Sequence, residues 1–145
     1  MPEISINYLA VILAAVANMA VGMIWYGPLF GRQWMTLMSL TPESMKEMKN
    51  KMTPAKAIAG GLVTAFIMAY VLAHDAFVWG AFFGEAVNPA VFALQLAFWI
   101  WLGYVATVQV GAVLWEGKPW KLFFLNAAYS LVSLMAMALI LTLVP

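Results

Sequence analysis

Cysteine is absent from this chain, and histidine occurs once, at position 74. The first absence excludes a disulfide framework, a thiolate nucleophile and any cysteine-based metal site. The second removes most metal-ligand sets and most catalytic dyads, which pair imidazole with further ligands or with a nucleophile. Charge is also scarce. Asp, Glu, Lys and Arg together make up 9% of the residues, where soluble domains carry roughly a quarter. A formal net charge of +1 without a basic stripe offers no footprint for nucleic acid. Neither a Gly-rich phosphate loop nor a metal-binding cluster is present, so no cofactor and no metal are expected.

What the chain does have is apolar side chain. Hydrophobic residues make up 66% of its 145 positions, and the mean hydropathy is +0.93. A soluble fold of this size has too little interior to hide so much, so the excess is expected to face lipid. Four apolar stretches, at approximately 6–26, 54–73, 89–115 and 119–144, reach the ~20 residues that cross ~30 Å of hydrocarbon. None carries Lys, Arg, Asp or Glu beyond the first turn or two of its ends. The third and fourth exceed the minimum, which implies tilt or projection past the bilayer. The reading is all-α: one polytopic membrane domain over residues 1–145, a bundle of four transmembrane helices with lipids as its surroundings.

Proline marks the starts independently. Thr53-Pro54, Asn88-Pro89 and Lys118-Pro119 each place proline at a first helical residue, where its missing N–H costs nothing. Thr41-Pro42 repeats the pattern and predicts a short polar helix to about Met52. There Met45, Met48 and Met52 recur opposite Lys46, Glu47, Asn50 and Lys51, an amphipathic arrangement suited to the cytoplasmic headgroup layer between helices 1 and 2. All seven basic residues lie in or beside the first and third connections. The positive-inside rule therefore places connections 1 and 3 in the cytoplasm and both termini outside. Met1-Pro2-Glu3 lacks the positive region of a secretory signal, so the first apolar run is read as a retained helix. Residues 75–88 are expected to form an aromatic outer connection, with a re-entrant segment as the alternative. Trp25-Tyr26-Gly27 followed by Trp34 resembles Trp115-Glu116-Gly117 followed by Trp120, the mark of a duplicated hairpin or of chance interfacial tryptophans.

Polar residues inside the spans are the candidate site. Asn18 lies in the first. Gln95 and Gln109, fourteen residues apart, share one side of the third helix with Glu116. Asn126, Ser130 and Ser133 form a stripe on the fourth. Asn18, Gln95, Gln109, Asn126 and Ser130 are expected to converge as a polar cavity or as interhelical hydrogen bonds that fix register. His74 and Asp75, at the outer end of the second span, form a second candidate site, with Glu85 as a companion carboxylate for a weak cation site. No ionisable group sits mid-span, which argues against a proton-coupled pump. Stripes of small residues, Ala57-Gly61-Ala65-Ala69-Ala73 and Gly103-Thr107-Gly111, invite close helix approach within or between chains.

The runs Trp25-Tyr26-Gly27-Pro28-Leu29-Phe30-Gly31, Trp101-Leu102-Gly103-Tyr104, Trp115-Glu116-Gly117-Lys118-Pro119-Trp120 and Asn126-Ala127-Ala128-Tyr129 resemble the bacterial membrane family catalogued as domain of unknown function 1761. The resemblance implies a small four-helix protein of the bacterial inner membrane and supplies no activity, ligand or site residue. The sequence favours a non-catalytic, self-associating (homo-oligomeric) protein enclosing a small polar cavity or path. The alternatives are a channel or transporter for a neutral or weakly charged solute, an accessory subunit of a larger complex, and an enzyme acting on lipid at the cytoplasmic face through Glu116, Lys118 and Lys121.

Overall fold

The computed structural model of the protein describes residues 4–83 and 86–144. These form six helices: α1 (Tyr8–Leu29), α2 (Gly31–Leu37), α3 (Pro42–Lys51), α4 (Pro54–Phe83), α5 (Pro89–Glu116) and α6 (Trp120–Leu143). Four of them, α1, α4, α5 and α6, are long and apolar enough to cross a membrane. At 1.5 Å per residue they measure roughly 33, 45, 42 and 36 Å.

The helix starts obey local chemistry. The Asn7 side chain accepts hydrogen bonds from the Leu9 and Ala10 N–H groups at the head of α1, and Asn88 accepts from Ala90 and Val91 at the head of α5. Thr41 and Ser44 cap α3 reciprocally, ahead of Pro42 in its first turn. α5 ends at Gly117, whose φ of +67° is left-handed. The Lys118 N–H then reaches back to the Ala112 carbonyl, and Pro119 launches α6 directly.

α6 is the spine. It packs along α1 on one side and α5 on the other, while α4 lies against α1 and part of α6. The interior is built of small side chains. Ala10, Ala14, Ala65, Ala69, Ala73, Ala93, Ala97 and Ala138 are buried around Val11, Leu72, Leu134 and Met137. Large apolar side chains such as Ile12, Val63, Ile67, Trp99, Val108 and Phe124 point outward instead. In water this arrangement would be inverted. In lipid it is economical, because outward Ile and Phe lose nothing there and inward alanines let backbones approach closely. The stripe along α4 is consumed in this way, with Ala65, Ala69 and Ala73 all buried within the chain.

Three features depart from the sequence reading. α4 does not end at 73 but continues unbroken to Phe83, so residues 75–83 are helix, and Gly80 does not interrupt it. The aromatic spacing that read as a loop is the lipid- and cleft-facing surface of three further turns. A further helix, α2, follows α1 within the first connection, where only the helix from Pro42 to about Met52 was expected. Residues 25–29 and 101–106 are π-helical. The Phe30 N–H bonds to the Trp25 carbonyl, five residues back, and this wider ring accommodates Pro28, which has no N–H to give.

The joint from α1 to α2 turns on Gly31, which is buried. A Cβ there would stand 2.6 Å from the Tyr26 carbonyl oxygen, a backbone atom that cannot yield cheaply. Gly31→Ala is therefore expected to lower the thermal midpoint in detergent by several degrees, while a Gly27→Ala control, which meets no atom within 4 Å, leaves it much less changed. Equal midpoints for the two variants would show that this joint carries no constraint.

Candidate functional site

Polar side chains meet on α6. Midway along α1 the Asn18 amide donates to Ser133 Oγ at 2.7 Å and to Met137 Sδ at 3.4 Å, joining α1 to α6. Two turns nearer the basic end, the Tyr26 hydroxyl donates to Asn126 Oδ1 at 2.7 Å. On the other flank of α6 the Trp101 indole N–H donates to the Ala127 carbonyl at 2.8 Å. The Ser130 hydroxyl also donates to that carbonyl, at 2.9 Å, and lies 3.5 Å from Gln109 Oε1. Asn126, Ala127 and Ser130 thus form a girdle that grips both odd-numbered spans. Tyr129 completes it, its ring centroid 5.0 Å from that of Tyr26 and 6.4 Å from that of Trp25.

The structure brings Asn18, Gln109, Asn126 and Ser130 onto contacts with or along α6, in separate pairs instead of one chamber. Gln95 stands apart. It is exposed and faces α4 across a cleft. The physical reason is the π-helical segment between Gln95 and Gln109. One extra residue in a helix turns everything beyond it by about 100°, so two side chains that share a face in a straight helix no longer do. His74 and Asp75, adjacent in sequence, also diverge. His74 Nδ1 lies 2.8 Å from the Tyr70 carbonyl and its ring packs edge-on against Tyr70 at 4.4 Å, whereas Asp75 lines the cleft. Glu85 lies outside the described residues. Among those described, no group of three or more His, Cys, Asp or Glu could hold a metal ion.

Sequence reasoning missed Tyr26, Trp101 and Tyr129. A signal was available: both π-helical segments open with Trp-x-Gly, as Trp25-Tyr26-Gly27 and Trp101-Leu102-Gly103. The expected pairing matched Trp25 with Trp115 instead. The two tryptophans differ in one respect. The Trp101 indole has its acceptor, while the Trp25 Nε1 is buried with none.

Two cavities flank the girdle and a third lies apart from it. At the basic end a groove of about 700 Å³ runs between α2 and α6, with Trp25, Phe30 and Phe124 as its apolar surface and Arg32 and Lys121 at its edges. A smaller one of about 320 Å³ gathers Gln109, Glu116, Lys118 and Asn126. Glu116 and Lys118 therefore share a pocket, and Lys121 lines a different one. The third, of about 670 Å³, is the cleft between α4 and α5, lined by Asp75, Gln95, Trp79, Trp99 and Tyr104 among others.

A family model described as "Protein of unknown function (DUF1761)" matches residues 9–142. No curated protein and no solved structure matches the chain.

The Tyr26–Asn126 bond carries a measurable expectation. A double-mutant cycle of Tyr26→Phe and Asn126→Ala, followed by unfolding in mixed micelles, is expected to give a coupling of about 0.6–2 kcal/mol. A coupling indistinguishable from zero would remove this bond from the forces holding α1 to α6.

Proposed function

Since the chain belongs to the DUF1761 family of proteins of unknown function, we propose from geometry alone that it is a non-catalytic membrane protein that binds a membrane-dissolved small molecule from the side. The supporting observation is the unclosed ring of helices. α4 packs against α1 and α6, and α5 against α6, while α4 and α5 approach one another little beyond the ring contact of Phe83 with Phe92. The gap between them is the cleft of about 670 Å³, within the range that holds a drug-sized ligand. It opens sideways along the helices, as suits a ligand arriving through lipid, whereas a channel needs a passage along the bundle. The interior polar groups are engaged pairwise across helices, a use that supports register over conduction.

Self-association belongs to the same reading. In contrast to the stripe on α4, Gly103 and Thr107 on α5 lie exposed, and a Cβ on Gly103 would meet nothing within 4 Å. A second copy could bring its backbone close there, which lipid tails favour only through packing. The reading places the protein in a bacterial inner membrane with the basic end in the cytoplasm, where α3 lies in the headgroup layer, and both termini outside.

Two measurements test these statements. Adamantyl diazirine, a neutral lipophilic photoprobe, is expected to label 71–83 and 92–104 saturably in liposomes, above the outward faces of α1 and α6. Uniform labelling of every lipid-facing surface would sink the lateral site. Gly103→Leu is expected to shift the detergent-solubilised protein from oligomer to monomer by analytical ultracentrifugation, and a wild type that is itself monomeric would defeat self-association.

A further inference from the structure

We infer that the α4–α5 cleft selects a hydrophobic organic cation, such as a quaternary ammonium or phosphonium, with the Asp75 carboxylate as counter-ion and aromatic rings as walls. This rests on the lateral-site reading above and adds the charge and chemical class of the ligand.

The first argument is an unanswered charge. Asp75 lines the cleft, is partly buried, and has no hydrogen bond or ion pair among the described residues. Its position lies about 30 Å along α4 from Pro54, near the far edge of the hydrocarbon. Every Lys and Arg of the chain falls at positions 32–56 or 118–121, at the opposite end of the bundle. The neighbouring imidazole is turned towards Tyr70. A carboxylate at such depth is expensive unless it faces a cavity and meets a partner, and no Lys or Arg on that end of the chain supplies one.

The second argument is the wall. Trp79, Phe83 and Phe92 form a run of rings, 6.2 Å between successive centroids, that bridges α4 to α5. Further along the cleft on α5 stand Trp99 and Tyr104, 65% and 77% exposed. Aromatic faces carry the negative end of a quadrupole, so rings around a cleft favour a cation whose own surface is apolar. Gln95 adds a neutral polar group on the α5 side. A hydrated metal ion would need more oxygen ligands than Asp75 and Gln95 offer. An anion would meet the carboxylate unfavourably, and a neutral molecule would leave it unpaired.

The test uses the full chain in phosphatidylcholine nanodiscs, with equilibrium dialysis of tetraphenylphosphonium and of neutral triphenylphosphine oxide, empty discs being subtracted. Saturable binding of the cation is expected, weakened ~10-fold or more by Asp75→Asn and several-fold by Trp99→Leu. Asp75→Glu should retain it, which separates charge from damage to the fold. The neutral probe should bind more weakly and ignore Asp75→Asn. Equal binding of both probes, unchanged by Asp75→Asn, would overturn the charge preference and leave the lateral site standing. If neither probe binds above empty discs, both readings fall.

Discussion

Hydrocarbon accepts no hydrogen bonds, and the architecture of this protein follows from that constraint. Polar side chains within a span gain most by finding a partner on another helix or on the backbone, and the buried Trp25 Nε1 is an exception. Asn18 finds Ser133, Tyr26 finds Asn126, and Trp101 finds the Ala127 carbonyl. All three partners lie on α6, so one helix accumulates the bonds of the others and becomes the axis of the bundle. Thr64, Thr107 and Thr142 take the backbone route, each donating to a carbonyl three or four residues earlier on its own helix.

The same solvent sets the packing. Association of helices in lipid gains little from burying large side chains, so the buried surface is largely alanine and most bulky residues face outward. An alanine seam permits close approach only where both helices offer one. α4 and α1 do so through Ala65, Ala69, Ala14 and Ala15, whereas the facing surfaces of α4 and α5 carry Trp79, Phe83, Phe92 and Trp99. Bulk on both sides holds these two helices apart, and the cleft is the consequence.

Much of this was readable from composition and punctuation. Apolar length located the four spans, and proline after Thr or Asn located helix starts at 42, 54 and 89 to the residue. The extent of α4 was not readable, because Gly80 and the dense aromatics of 77–83 suit an interfacial loop as well as an outward helical surface. Gly loses its usual meaning as a breaker, and aromatic residues theirs as marks of an interface, when lipid replaces water on one side. The relation of Gln95 to Gln109 failed for another reason: face arithmetic assumes a constant turn, and a π-helical segment breaks that assumption without a strong local signal. Asn18, Asn126 and Ser130 were legible as polar residues in apolar runs, but Tyr26 and Trp101 were masked by the habit of tyrosine and tryptophan to sit at membrane interfaces.

The short joint at 117–119 bears on how the two halves of the chain close up. With Gly117 left-handed and Pro119 opening the next helix, the end of α5 and the start of α6 are held side by side, and the two helices need no long search for one another. The Trp101–Ala127 bond therefore closes over a short loop, at a small cost in chain entropy. The first half of the chain, with a connection of more than twenty residues between α1 and α4, has no such coupling. Its two spans must close a longer loop before they meet, which costs more chain entropy.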